Sequence, residues 1–208
     1  MGDQPIEIEK TIVGLERRNM RGYYAADEKD LIRLIGSLLV KGAVVGCGDS
    51  VTLEETGVFD FLRNGDYVFL DKYEKGLSAA QKREIYLKNF SADAFITGTN
   101  AVTENGELFN IDGNGSRVAP LLYGPRRVLI VVGQNKIVPN IALAVQRARM
   151  TAAPRDARRL HKNTPCTKTD TCIDCNHPER ICNDFVAIKG QFIKDRIQVI
   201  IVGKQLGY

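Results

Sequence analysis

Arg127-Val128-Leu129-Ile130-Val131-Val132 is the stretch from which the fold is read. An unbroken aliphatic run without polar alternation predicts a strand buried on both faces, as in a parallel sheet covered on each side. Upstream, Ile8, Ile12, Leu15 and Met20 predict a helix over 6–21. A second helix follows Asp27, a candidate N-cap, along Leu31, Leu34, Ile35, Leu38 and Leu39, and ends at Gly42. Strands are expected over 43–46, 67–70 and 93–97, with helices between them through Leu53, Val58, Phe59 and Leu62 and over 79–90. Asn105-Gly106 predicts a hairpin turn between arms 101–104 and 107–111, followed by a short helix over 116–123. Downstream, Pro139 opens a helix carrying Ile141, Val145 and Ala148. Beyond Pro154 the chain reads as basic and irregular until two late strands, 185–188 and 198–202. Short apolar strands alternating with amphipathic helices define an α/β fold: a doubly wound parallel sheet with helices on both faces.

The 208 residues suit one domain over 1–208, with 155–183 as a basic, cysteine-rich excursion from it. Hydrophobic residues at 44% and charged residues at 26% describe a folded chain rather than a disordered one. There is no apolar run of bilayer length, no apolar core in the opening MGDQPIEIEK, and Ile6 where a myristoylation signal needs Ser or Thr. The expected location is the cytoplasm, without a membrane. A net charge of +4 is too mild to argue for nucleic acid. The charge is uneven, however: Arg147, Arg149, Arg155, Arg158, Arg159 and Lys162 cluster with only Asp156 opposing them. They read either as a solvated helix face or as an anion site. Nothing in the sequence specifies an oligomeric state.

In open parallel sheets ligands collect at the C-terminal ends of the strands. Three segments there carry suitable groups. Gly48, Ser50 and Thr52 run from a strand into a helix, where glycine admits close approach and hydroxyls and helix N–H groups bind anions. Capping accounts for the same residues, with Glu55 completing a box from Thr52. The segment has neither a Walker ending nor a dinucleotide fingerprint. Thr97, Gly98, Thr99 and Asn100, continued by Asp112, Gly113, Asn114 and Arg117, form a second set, readable as turn chemistry or as a pocket lining. Gly133, Asn135 and Lys136 close the set, and Asp112 and Lys136 are the candidate catalytic groups. No nucleophile elbow is present, and His161 reads as a surface residue.

Four of the five cysteines fall close together: Cys166, Cys172, Cys175 and Cys182, spaced C-x5-C-x2-C-x6-C. A C-x-x-C turn aims two thiolates at one metal, and the flanking pair completes four ligands for zinc or an iron–sulfur cluster of the [4Fe-4S] type. Lys168 and Arg180 are placed to offset thiolate charge. A thiol/disulfide switch and inert buried cysteines are the alternatives. Cys47, apart from these, reads as a small buried residue.

The stretches LERRNMRGYY (15–24), GDSVTLEETG (48–57), TGTNAVTENGELFNIDGNGSRVA (97–119), VVGQNKIV (131–138), TPCTKTDTCIDCNHPERIC (164–182) and the terminal IIVGKQLGY resemble the lactate-utilisation (LUD) domain family. The likeness is to its lactate-utilisation C-like members, in a branch with a C-terminal four-cysteine motif. The resemblance implies a Rossmann-like sheet similar to that of the sugar-phosphate isomerase, glucosamine-phosphate deaminase and CoA-transferase superfamily. It also implies an association with lactate oxidation beside iron–sulfur redox partner proteins. Three functions follow as expectations. The first is a redox-accessory protein with a small anionic metabolite or nucleotide at the strand-end loops and a metal or iron–sulfur centre on the cysteines. The second is an isomerase or transferase acting on a phosphorylated or CoA-linked substrate. The third is a zinc-containing regulatory or nucleic-acid-binding module.

Overall fold

A computed structural model describes residues 6–208; the expectation that no targeting segment opens the chain falls partly on residues 1–5, outside the described range. Helix α1 (Ile6–Glu16) leads to β1 (Arg21–Ala25), α2 (Glu28–Leu38), β2 (Val44–Cys47), α3 (Val51–Glu55), α4 (Val58–Asn64) and β3 (Val68–Phe69). Next come α5 (Ala79–Lys88), β4 (Ala94–Gly98), β5 (Ala101–Thr103), β6 (Leu108–Asp112) and α6 (Val118–Leu122). The order ends with β7 (Arg127–Gly133), β8 (Ile137–Val138), α7 (Ile141–Arg147), α8 (Ala153–Arg159), α9 (Cys166–Thr169), β9 (Asp184–Ile188) and β10 (Ile197–Val202).

Six strands form an all-parallel sheet in the order β1-β10-β7-β4-β2-β3. The aliphatic run in β7 lies near its centre, between β10 and β4, and both of these neighbours are buried along their whole length. Leu129 and Val131 pack with Leu31, Ile35, Leu53, Phe59 and Leu62 beneath α2, α3 and α4. Val128, Ile130 and Val132 turn the other way, onto Ile8 and Leu15 of α1, Leu108 of β6 and Leu121 of α6. The α/β fold with a mostly parallel sheet and helices on both faces is therefore as expected.

The cover on the second face holds more than helices. A four-stranded sheet, order β8-β5-β6-β9, lies there. Its β5–β6 pair is the Asn105-Gly106 hairpin, and β9 runs antiparallel to β6. On the outer side of this sheet, Phe109 and Ile111 meet Ala144 and Ala148 of the α7 segment. Local patterning gave no warning of a second sheet, because β9 reaches β6 from more than seventy residues away in sequence.

Three expected elements are corrected. The first helix stops at Glu16 rather than 21. Asn19 takes a left-handed φ of 59°, Met20 N–H returns to Leu15 C=O, and Arg21–Ala25 joins β10 as an edge strand. The helix through Leu53 to Leu62 is two helices, parted by Gly57 at φ 70°. Beyond Pro154 the chain stays helical to Arg159: a π turn at Ala148–Ala152 leads into α8, and Pro154 falls in the first turn of that helix, where a missing N–H is tolerated. Among the described residues no helix is long and apolar enough to cross a membrane.

The hairpin tip rests backbone to backbone on α1. A Cβ on Gly14 would stand 2.5 Å from the Asn105 carbonyl carbon, and one on Gly106 would overlap Gly14 and Leu15. Gly106 also has φ 82°, which disfavours a side chain on its own. Gly106→Ala is expected to lower stability by about 2 kcal/mol or more, read as a shifted midpoint in urea denaturation.

Candidate functional site

The C-terminal ends of β2, β4 and β7 meet the β6–α6 loop around one cavity of about 400 Å³. Close interlocking of the loops requires glycine here. A Cβ on Gly48 would press on Thr97 Oγ1 and lie 2.8 Å from Arg117 Cγ, and one on Gly98 would lie 2.6 Å from Ser50 Oγ. Ser50 also caps α3, accepting from Leu53 N–H. The box expected from Thr52 and Glu55 does not form: Thr52 lies inside the helix, and Glu55 accepts from Gly207 N–H at 2.6 Å.

Arg117 is the floor of this cavity. Nη1 donates to Asn110 Oδ1 at 2.6 Å and Gly98 C=O at 3.3 Å; Nη2 donates to Ile111 C=O at 2.7 Å and Asn100 Oδ1 at 3.1 Å. Those bonds tie the end of β4 to β6, across the two sheets. The guanidinium is a structural clamp whose terminal N–H groups are already committed. Asp112 is similarly occupied. One oxygen accepts from Gly113 and Asn114 N–H, the other from Arg117 and Val118 N–H, at 2.7 to 3.4 Å. Four backbone donors fill the acceptor sites of a carboxylate. Asp112 thus organises the turn into α6, which leaves Lys136 as the stronger of the two candidate catalytic groups.

Lys136 is 4% exposed, and its Nζ donates to Thr52 Oγ1 at 2.9 Å. Burial depresses its amine to about 7, with Arg147 and Arg117 adding repulsion. Lys72, also buried, lies over the rings of Tyr73 and Tyr86, 5.0 and 5.6 Å from their centroids. Burial lowers its amine too, against the pull of Asp49. Carboxylates act on both lysines only through space, Asp49 on Lys72 and Glu55 and Asp156 on Lys136. The other charges of the rim are paired in a line. Tyr73 Oη donates to Asp49 at 2.6 Å, Arg159 bridges Asp49 and Asp156, and Tyr208 Oη donates to Asp156 at 3.1 Å. Burial acts to raise the Asp49 carboxyl, but Lys72, Tyr73 and Arg159 together outweigh it and hold it below the ordinary carboxylate range.

Nine of the expected binding residues line the cavity: Ser50, Gly98, Thr99, Asn100, Asp112, Gly113, Asn114, Arg117 and Lys136. Five sit a layer behind. Gly48 and Thr97 interlock, and Thr52 holds Lys136. Asn135 Oδ1 accepts from Leu206 N–H at 3.0 Å, and Gly133 leaves room for that same nitrogen, so this pair seats the C-terminal segment. Sequence reasoning missed Asp49, Lys72, Tyr86 and Tyr208 as lining residues. Lys72 does follow a strand, as the other site loops do, but β3 has only two residues and made a weak signal.

The basic cluster proves to be neither a uniform solvated face nor a single anion site. Arg147 bonds the carbonyls of Asn100 and Asn135. Arg149 and Arg158 hold the cysteine-rich segment, through Asp174 at 3.0 Å and through Thr167 C=O and Asp170. Arg159 and Lys162 line the large cavity, and Arg155 is exposed. His161 is exposed and Cys47 is buried, its thiol pushed up to about 12 by burial, both as expected.

Cys166, Cys172, Cys175 and Cys182 line a second cavity of about 20 Å³, walled also by Arg149 and Arg180. All four are free thiols, half-buried. Arg149 Nη2 donates to Cys172 Sγ at 3.6 Å. Arg180 bonds the Cys175 and Cys182 carbonyls, each at 2.7 Å, while its buried Nε has no acceptor. Four thiols lining one cavity, two guanidiniums and an unanswered donor suit, as a donor set, the chemistry of an anionic metal–thiolate group. Among the described residues, no three His, Cys, Asp or Glu side chains stand in a group arranged to hold a metal ion.

The fold and site define an α/β protein with a Rossmann-like parallel sheet and a polar cavity at the strand ends. The LUD domain model matches residues 8–202, and the chain belongs to the LUD domain family. Its structure is similar to that of a DUF162 family protein from Deinococcus radiodurans, with 16% identity and a TM-score of 0.50 over 95% of this chain and 94% of that one. That likeness concerns the fold alone. A weaker likeness is to ribose 5-phosphate isomerase A from Methanocaldococcus jannaschii, with 15% identity and a TM-score of 0.34 over 64% of this chain and 66% of that one. No curated protein matches the chain significantly.

The depressed Lys136 amine makes a pH prediction. Between pH 7 and its ordinary value of 10.5 the unfolded chain binds a proton that the folded chain does not. Stability contributed through this residue therefore rises with pH across that window, by at most about 1.4 kcal/mol per pH unit. Lys136→Met is expected to be more stable than the parent at pH 6.5 and to lose that rise, measured by urea denaturation at pH 6.5, 7.5, 8.5 and 9.5.

Proposed function

We propose that this LUD domain protein is a redox-accessory protein of small-metabolite metabolism, binding a small anionic ligand in the strand-end cavity and a metal or iron–sulfur centre on its four cysteines. The observation that carries the reading is the pair Lys72 and Lys136, both buried and lining the same cavity without a carboxylate in contact. A buried cation is costly unless something answers its charge, and an anionic ligand does so. Lys162 adds to the charge at the rim, while the side-chain amides of Asn100 and Asn114 offer neutral donors to a carboxylate or phosphate. On the other side, Cys166, Cys172, Cys175 and Cys182 would hold the metal, with Arg149 and Arg180 offsetting thiolate charge. An iron–sulfur cluster would supply one-electron transfer to partner proteins; zinc would supply structure.

A second reading, an isomerase or transferase on a phosphorylated or CoA-linked substrate, is favoured by Lys136 alone. An amine depressed to about 7, hydrogen-bonded to Thr52 Oγ1 and lining a cavity, suits a base that moves a proton on a bound substrate.

Titration calorimetry with pyruvate, L-lactate, inorganic phosphate and ribose 5-phosphate tests the first reading. At least one is expected to bind saturably, and Lys136→Ala or Lys72→Met to weaken that binding about tenfold or more, with circular dichroism unchanged. Absence of binding by all four sinks it. Anaerobic purification with iron, sulfide and zinc analysis tests the cysteines: a metal is expected in near-stoichiometric amount and lost in Cys172→Ser. Colourless protein with one zinc per chain removes electron transfer from the reading.

A further inference from the structure

The two cavities share a wall. Arg180 and Ile181 line both, Pro178 and Glu179 line the larger, and Cys182 lines the smaller. We propose that metal binding at the four cysteines controls anion affinity in the large cavity, through the shared segment Pro178–Cys182. This inference rests on the ligand and metal readings given above and adds their energetic coupling.

Three observations carry it. First, the cysteine-rich segment has little of its own to hold it in shape. After the single turn of α9, residues 170–183 form no helix or strand, and Ile173 is 61% exposed. Position there rests on polar contacts: Arg149 to Asp174, Arg158 to Asp170, and Glu179 Oε2 accepting from Asn163 N–H at 2.8 Å. Binding four separated thiolates to one centre removes freedom that these contacts leave.

Second, Arg180 is built into the segment as a strut. Its two terminal nitrogens hold the carbonyls of Cys175 and Cys182, and its buried Nε lacks an acceptor. An anionic metal–thiolate group beside that Nε would give it one. The strut and the larger cavity's wall are the same residue, so what fixes one fixes the other.

Third, the segment is stitched directly to the anion loop. Asn183 N–H donates to Asp112 C=O at 2.9 Å, and Asn183 Nδ2 donates to Gly113 C=O at 2.8 Å. The Ile181 backbone packs against Gly113, where a Cβ would meet it at an ordinary van der Waals distance of 3.5 Å. Displacement of the segment therefore bears on Asp112 and Gly113, the turn whose carboxylate seats Arg117 and α6.

The test uses the full chain, reduced and anaerobic, with zinc as the metal and inorganic phosphate as the anion. Phosphate affinity is measured by calorimetry on zinc-loaded and chelator-stripped protein, and zinc affinity by chelator competition with and without saturating phosphate. Zinc loading is expected to tighten phosphate binding about fivefold or more, and phosphate to tighten zinc binding by the same factor, as linkage requires. Ile181→Ala, which removes no polar group from either cavity, is expected to keep both ligands while the factor falls toward one; Arg180→Lys, read for the coupling factor and not for either affinity, serves as the second variant should Ile181→Ala unfold on circular dichroism. Equal phosphate affinity in the two states overturns the coupling and leaves the anion reading standing. Phosphate that binds neither state overturns the coupling, and the anion reading falls if pyruvate, L-lactate and ribose 5-phosphate also fail; zinc that does not bind stoichiometrically overturns the coupling and the metal reading.

Discussion

A sheet whose central strands are apolar on both faces must be kept from water on both, and the architecture of this chain follows from how each face is covered. On one side α2, α3 and α4 lie over Leu129 and Val131. On the other, α1 and α6 share the cover with a second sheet, whose hairpin strands present Val102 and Leu108 to Val128, Ile130 and Val132. Two layers of backbone polar groups then have to meet at one edge. Arg117 answers that demand, donating to carbonyls and amides from the end of β4 and from β6 together. The cavity forms where this clamp holds the two sheets at the strand ends.

Charge in the cavity is arranged at a cost. Cationic side chains are not buried without compensation, and in Arg117 that compensation comes from four protein acceptors. Lys72 and Lys136 lack such a set. Lys72 leans on two aromatic faces, and Lys136 on a single hydroxyl. The rim, by contrast, is satisfied internally, from Tyr73 through Asp49, Arg159 and Asp156 to Tyr208. A satisfied rim around under-compensated lysines is an arrangement suited to function rather than to stability.

The basic run that follows α7 connects this cavity to the cysteines. Residues one or two positions apart on a helical segment point in different directions, so Arg147 and Arg149, and Arg158 and Arg159, divide their work by helix geometry. Arg147 turns to the strand-end loops, Arg149 and Arg158 to the cysteine-rich segment, and Arg159 to the cavity rim. The cysteine segment is thereby held against the pocket by the same helix that forms part of its wall.

Much of this was legible in the chain itself. The apolar run 127–132, the Asp27 cap and the Asn105-Gly106 turn are local signals, because backbone geometry and side-chain burial act over a few residues; each stands where it was expected. The loops rich in Gly, Thr, Asn and Asp likewise pointed to the strand ends, and nine of their residues line the cavity there. Other features depend on contacts between distant residues, which no local pattern encodes. Such contacts pair β9 with β6, spend Asp112 on four amides, bury Lys136 against Thr52, and bring Lys72 and Tyr208 to the same cavity. Spacing alone announced that the four cysteines belong together. Only the tertiary structure decided that their segment shares Arg180 and Ile181 with the cavity, because a loop without regular structure goes where its long-range contacts hold it.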